Sequence, residues 1–588
     1  MTAWLYRVEG RWCVSLALET DVAYWREKGV DVTEGWRYRS VAQAMCEREA
    51  LEKGKRRERG WMHVGFARGG VGGENVPVGL GAAMERGSLK KSAELWREWR
   101  PLLGGRSLLL SEVRRVLAIR WKGDDLSQQR ILRVLQVGVL KGEVFLRSAV
   151  RTIGGQANWR CERCHAGRSR LVQTACARCG GTCYYCDECL LLGRSRACEP
   201  LLQIPMPARE EENTVQEAAG RERASSRNGT QAGTMSLTPA QRRAAERALA
   251  FVRDGKEPVL LLWAVTGAGK TEMTFAAVSH VLNRQGRVAV ATPRKDVVNE
   301  LTPRFRHAFP AVRIVKLHGE SGETWLDGEL VIATTHQLLR WYRTFELIVV
   351  DEVDAFPYRH NESLQAGVRR ALKETGQQLW LTATPPRSWQ TAFRQGKLPG
   401  VTIPVRHHGH PLPEPYITLE RRLWEKVLKK RQITALDQFL AHVQRVGGQA
   451  YLFVPSLSHV TPVLHWLSAH APELRAAGVS SRDREREKKV QDFRDGEYDC
   501  LVTTTVLERG VTVSNAHVAI LQADHPIWDE AALVQMSGRC GRSSSFPSGH
   551  VFWIAQEASR EQSRALKHIR RMNREAWENG WLKAKDGR

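Results

Sequence analysis

No stretch of this sequence approaches the roughly 18 consecutive apolar residues of a membrane-crossing helix, which argues against a spanning segment. The N-terminus, MTAWLYRVEGRWC, lacks the uninterrupted apolar core of a secretory signal. The expectation is a soluble, cytoplasmic chain, free to dock peripherally on a membrane. Acidic residues are in short supply: 64 Asp and Glu stand against 89 Lys and Arg, a net charge of +25. That balance points to an anionic partner, and a nucleic-acid backbone is the commonest one. The arginines recur along the whole chain and do not form one tail, as a distributed binding surface requires. Cysteine is sparse outside one segment: of twelve, only Cys13, Cys46, Cys500 and Cys540 lie elsewhere, and these read as packing residues. In a cytoplasmic chain the crowding of the rest argues against a disulfide framework and for metal. Large apolar side chains are nearly absent from residues 207–235. Such a stretch cannot bury enough surface to offset its ordering entropy and reads as a flexible linker.

Tryptophan is plentiful: nine of the twenty precede residue 160. The ring can stack on unpaired bases, although core packing is its commoner fate. The chain, at 588 residues, exceeds a single core and predicts about three or four domains. Residues 1–105 read as an extension of unknown role, with a short hairpin (MTAWLYRVEGRWCVSLAL), a basic helix (SVAQAMCEREALEKGKRRERG) and a glycine-rich loop. Residues 106–206 read as helices and short strands ending in a cysteine module, 161–198. After the linker the texture changes. Apolar runs such as PVLLLWAV, RVAVATP, LVIATT and FELIVVDE alternate with helical stretches. These are buried parallel strands, and the pattern restarts at QAYLFVP. The fold class is therefore α/β, with two tandem RecA-like parallel-sheet domains over 236–387 and 433–588, joined by a connector at 388–432.

The stretch AVTGAGKTE, Ala264–Glu272, follows such a strand and opens a helix. Alanine stands where the strict phosphate-loop pattern has its first glycine, at the strand end, where small size is what matters. Thr266, Gly267, Ala268 and Gly269 supply the loop that cradles phosphate, with Lys270 for the outer phosphates and the Thr271 hydroxyl for Mg2+. LIVVDEVDAF places Asp351 and Glu352 after four apolar residues. Asp351 would hold Mg2+ through water and Glu352 would polarise the attacking water. Gln241, 29 residues ahead of Lys270, can read the adenine edge of ATP with both amide groups. QMSGRCGRS offers Arg539 and Arg542 to meet charge on the transferred phosphoryl group.

Gln241, AVTGAGKTE, ATPR, TTHQLLR, DEVD, TATP, TTTVLERGV and QMSGRCGR fall in the order of the superfamily 2 helicase motifs. Together with the cysteines ahead of the motor and DEVDAFP within it, they resemble the late-competence DNA-uptake ATPase family, ComFA, over roughly 107–575. The primosomal helicase PriA is similar in style, but its cysteines interrupt the second half of the motor, whereas here all eight clustered ones precede it. A replication-restart helicase of that kind is the nearest alternative. A zinc-dependent DNA-binding adaptor without motor activity is the alternative of another class; intact Lys270, Asp351, Glu352 and Arg542 speak against it. The ComFA resemblance implies an ATP-driven motor on single-stranded DNA at the inner face of the membrane, with the uptake channel and cytoplasmic DNA-processing proteins as partners. By motif match, Thr292, Arg294, Thr334, Thr335 and Thr504 are the DNA-backbone candidates, since hydroxyls and arginine suit phosphate and carry no base information. Thr382 and Gln535 are the coupling candidates.

The cysteine spacing is Cys161-x2-Cys164, Cys176-x2-Cys179, Cys183-x2-Cys186-x2-Cys189 and Cys198. Two-residue gaps let neighbouring thiolates grip one tetrahedral Zn2+. One zinc on the first four is the conservative reading and two the favoured one; the second four form another site, or the pairs interleave. Nearby Arg160, Arg163, Arg168, Arg170 and Arg178 suggest contact with DNA. His407, His408 and His410 sit in the connector and do not read as a metal site.

Overall fold

The computed structural model describes residues 3–583 except 10, 31, 33, 39, 53–73, 76–85, 124, 153–157, 208–235, 481 and 506–512. The linker expected at 207–235 lies, apart from Pro207, outside the described residues. So does most of the TTTVLERGV stretch. The described residues form two compact units.

The first unit comprises residues 1–231, 281–348 and 355–377. It opens with the expected hairpin, Ala3–Val8 against Arg11–Ser15, extended by Glu34–Tyr38 and Glu74–Asn75 into an antiparallel sheet. Its inner side chains, Leu5 and Val14 among them, share one hydrophobic cluster with Trp96 and Trp99 of helix Arg86–Leu103, Val113 of helix Leu110–Arg120 and Leu135 of helix Gln128–Leu140. Residues on both sides of position 105 thus contribute to one core. Trp96 and Trp99 are part of that core and are closed to bases. Strand Pro200–Ile204 lies between Arg106–Leu109 and Phe145–Ser148. The cysteine module between them is built on a hairpin, Leu171–Cys176 with Gly181–Cys186. Three parallel strands complete the unit in the order Ile314–Leu317, Leu330–Thr334, Val288–Thr292; the last two are buried on both faces, which is why they read as continuous apolar runs.

The second unit comprises residues 232–280, 349–354 and 378–588. Here the strand Val259–Ala264 lies in parallel between Leu372–Thr382 and Gly400–Ile403. Helix Pro239–Asp254 precedes it. A Thr238/Gln241 capping box and Pro239 in the first turn fix where that helix starts. The second parallel sheet has six strands in the order Tyr416–Leu419, Val551–Ala555, Ala516–Leu521, Gln449–Phe453, Cys500–Thr503, Ala476–Val479. The chain therefore carries two RecA-like parallel-sheet domains in succession. Among the described residues no helix is long and apolar enough to cross a membrane.

Candidate nucleotide site and cysteine module

The buried strand Val259–Ala264 runs into a loop whose Gly267 and Gly269 hold φ of +79° and +77°, conformations that a β-carbon disfavours. A helix then begins at Lys270. This is the strand–loop–helix geometry that turns backbone N–H groups towards an anion. Lys270 Nζ donates to the Ala264 carbonyl at 3.4 Å. Burial pushes its ammonium below the ordinary lysine range; Asp351 opposes that shift and Arg542 adds to it. One lysine thus feels the carboxylate that ends strand Phe345–Asp351 and an arginine of the second RecA-like domain together. The Glu352 N–H donates to Asp351 Oδ1 at 2.9 Å, and Glu352 itself sits at φ +53°. That geometry turns the chain sharply once the strand ends.

Gln241 differs from the expectation. Its Oε1 accepts from the Thr238 N–H at 2.9 Å, closing the helix cap, and its Nε2 donates to the Ala268 carbonyl at 2.9 Å. Both ends of the amide are thus engaged within the protein, and the side chain braces the phosphate loop. A β-carbon on Gly269 would lie 2.5 Å from that Nε2, a close approach that only glycine allows.

Thr382 and Gln535 are joined through two further residues, Asp354 and Thr384. Thr382 Oγ1 donates to Asp354 Oδ1 at 2.6 Å, Thr384 Oγ1 to Asp354 Oδ2 at 2.7 Å, and Gln535 Nε2 to Thr384 Oγ1 at 3.1 Å. All four are buried. A hydrogen-bonded chain therefore links the acidic DEVD stretch, the TATP turn and the QMSGRCGR helix. Asp354 and Thr384 were visible in the quoted motifs, but nothing in their spacing identifies them as partners.

Of the two candidate arginines, Arg539 is fully buried, whereas Arg542 is half-buried and its Nε donates to the Gly538 carbonyl at 2.9 Å. The connector closes over the same region. The His407 N–H donates to the Gly267 carbonyl at 3.0 Å, and Arg406 Nη1 donates to the Gly541 carbonyl at 2.5 Å. His408 Nε2 lies 3.0 Å from that same oxygen, and its Nδ1 accepts from the His410 N–H. This fixes the neutral tautomer with hydrogen on Nε2, and burial accordingly pushes His408 down to about 4. The His407 and His408 rings thus both lie against main-chain carbonyls, those of Gly267 and Gly541.

Gly538 shows how closely the two motifs pack. A β-carbon there would lie 2.0 Å from Thr266 Oγ1 and 2.7 Å from Thr266 Cβ. The Gly538→Ala variant is expected to fold but to displace the phosphate loop, lowering ATP turnover roughly 10²-fold. Steady-state hydrolysis alongside a thermal melt checks this.

Four of the five DNA candidates are buried. Thr292 and Thr335 are fully buried, and their Oγ1 atoms have no hydrogen-bond partner. Thr334 and Thr504 are buried as well, and Arg294 is half-buried at the start of helix Lys295–Ala308. Thr292 closes strand Val288–Thr292 and Thr335 follows strand Leu330–Thr334, both strands buried on both faces, which is why these two hydroxyls are enclosed.

The eight clustered cysteines form two groups: Cys161, Cys164, Cys186 and Cys189, and Cys176, Cys179, Cys183 and Cys198. Within each group every sulfur lies within 4.8 Å of the others. Sulfur separations of 3.8 Å (Cys161–Cys189), 3.5 Å (Cys164–Cys186) and 3.8 Å (Cys176–Cys198) match the ~3.8 Å edge of a tetrahedron with zinc–sulfur bonds of ~2.3 Å. Both groups fit Zn2+. The pairs interleave, so the reading with one zinc on the first four is corrected. Cys183 and Cys186 lie three apart on strand Gly181–Cys186 and so face opposite sides of it. Neither face can serve both. The expected DNA role of the nearby arginines also narrows. Arg163 is fully buried against Glu112, Arg170 pairs with Asp187 and Glu188, and Arg178 pairs with Glu199.

Two parallel-sheet domains, with a phosphate loop in one and the Gln535–Arg542 stretch of the other tied to it, define a helicase-type ATPase of superfamily 2. Residues 431–544 match the helicase conserved C-terminal domain, 234–387 the type III restriction enzyme res subunit, and 95–203 the competence protein ComFA N-terminal domain. The competence protein ComFA of Bacillus subtilis is 37% identical over 71% of this chain and 86% of its own length; that of Streptococcus pneumoniae is 35% identical over 71% and 94%. Among solved structures, RecG bound to a three-way DNA junction matches with a TM-score of 0.42 and 20% identity, over 57% of this chain and 45% of that one. The chain belongs to the ComFA competence protein family.

Proposed function

We propose that this protein is an ATP-dependent translocase on single-stranded DNA that drives DNA uptake during natural transformation. The observation that carries this reading is the buried hydrogen-bonded chain Thr382–Asp354–Thr384–Gln535, which ties the DEVD stretch to the Gln535–Arg542 stretch, in the unit whose phosphate loop leads into Lys270. A triphosphate needs cations on two sides and a carboxylate-held metal between them, and those residue types meet here. Thr271 and Asp351 would hold Mg2+, which would supply positive charge to offset that of the outer phosphates. Glu352 would polarise the attacking water, and Arg542 would stabilise charge on the transferred phosphoryl group. Hydrolysis would release Arg542, and the chain Gln535–Thr384–Asp354–Thr382 would pass that change to the DNA face. A net charge of +25 and family membership support DNA as the track. The uptake channel and cytoplasmic DNA-processing proteins are the proposed partners, and the inner face of the membrane the proposed location.

The test is displacement of streptavidin from the end of a biotinylated single strand, run beside unwinding of a tailed duplex. ATP-dependent displacement is expected. Hydrolysis without displacement at either end would refute translocation.

A further inference from the structure

A second network of buried charge lies in the first unit, and it joins the cysteine module to the Thr334–Arg340 stretch. Glu112, on helix Leu110–Arg120, is at its centre and only 3% exposed. Its carboxylate accepts from Arg163 Nη2 at 2.8 and 3.0 Å, from Arg340 Nε at 3.3 Å and from the Leu109 N–H at 2.9 Å. Arg163 lies between Cys161 and Cys164, and its side chain is 0% exposed. Arg340 closes the short helix Thr335–Arg340, and its other nitrogens donate to Gln337 Oε1 and, at 3.0 Å, to the Leu192 carbonyl of the cysteine module. A third, half-buried arginine repeats the bridge. Arg370 donates to the Glu162 carbonyl at 3.0 Å and to the Leu339 carbonyl at 2.7 Å.

This is an expensive arrangement. Two arginines and one carboxylate are withdrawn from water and a third arginine is half-buried, and buried charges cost several kcal/mol each unless geometry and hydrogen bonding are good. Packing alone would be served as well by apolar residues. What charges add is directional definition: bidentate and multi-acceptor guanidinium contacts fix position and rotation together. The position they fix is that of Thr334–Arg340. If the cysteine module were a separate DNA-binding knob, its inner face would need no such wiring.

We propose that the cysteine module acts on the motor from within, and that Glu112, Arg163 and Arg370 are positioning residues that hold the Thr334–Arg340 stretch in the geometry through which DNA stimulates ATP hydrolysis. The proposal deepens the translocase reading and rests on it for its kinetic consequence. Loss of the bridge slackens Thr334–Arg340 while Lys270, Asp351 and Arg542 keep their places. DNA-free hydrolysis therefore persists, and the response to DNA weakens.

The experiment uses the full chain with Glu112→Gln, which keeps shape and removes charge, and separately Arg370→Lys, which cannot reach both carbonyls. Three quantities are read: the oligo-dT concentration giving half-maximal stimulation, the DNA-free turnover, and amide hydrogen exchange over 334–340. The expected result is a rise of about tenfold in the half-maximal concentration, within the range of site-to-site coupling, with unchanged DNA-free turnover, unchanged zinc content and faster exchange over 334–340. Native exchange and a native response in both variants would overturn the proposal. Should Glu112→Gln lose its zinc or melt early, Arg370→Lys decides alone. Should native protein hydrolyse ATP without responding to oligo-dT, the translocase reading fails, and the exchange measurement still judges the bridge.

Discussion

Lys270→Ala is expected to lower ATP turnover by roughly 10²–10³-fold, the loss typical of removing one preorganised charge from a phosphoryl-transfer site. Stability should hardly change. Among the described residues the Lys270 ammonium makes one long hydrogen bond, 3.4 Å to the Ala264 carbonyl, and burial already disfavours its charge. A group held against its own desolvation contributes little to folding and much to an anion that arrives. The loop shape depends instead on Gly267, Gly269 and the Gln241 brace. Hydrolysis and a thermal melt, measured on the same preparation, separate the two effects. Unchanged turnover would remove Lys270 from the chemistry, and a collapsed melt would make it structural.

The second large effect concerns the cysteines, where two pairings make opposite predictions. With the interleaved groups, Cys161 and Cys186 belong to one site, and Cys161 and Cys176 to different ones. The double variant Cys161→Ser/Cys186→Ser should therefore keep one zinc per chain, and Cys161→Ser/Cys176→Ser should keep none. Pairing in sequence order reverses both results. Because a structural zinc contributes about 10–16 kcal/mol of binding free energy to a small module, the variant lacking both metals should also expose residues 161–198 to protease. Metal analysis per mole of purified protein decides between them. One zinc in both doubles would mean that neither pairing is right.

Much of the motor is legible in the sequence because its strands are short, apolar and buried on both faces, so Val259–Ala264, Val288–Thr292 and Leu330–Thr334 stand out from their surroundings. The phosphate loop is legible because Gly267 and Gly269 answer a local backbone need. What depends on long-range packing is not legible. Gln241 reads equally well as an adenine reader or a brace, and only the position of Ala268 shows its engagement here. Arg163 looks like a surface cation until Glu112, 51 residues away, is found against it. The threonine motifs name Thr292 and Thr335 but not the direction of their hydroxyls, which point inward. Zinc ligation is readable as a type, since two-residue gaps suit thiolate pairs. The assignment of pairs to ions waits on strand parity, which places Cys183 and Cys186 on opposite faces.

The most direct measurement is ATP turnover of the full-length protein as single-stranded DNA is titrated in, with Arg542→Ala alongside. A saturable rise with DNA, absent in Arg542→Ala, is the predicted result. A turnover indifferent to DNA, or an Arg542→Ala variant that responds like the native chain, would contradict a nucleotide clamp driven by the strand it moves on.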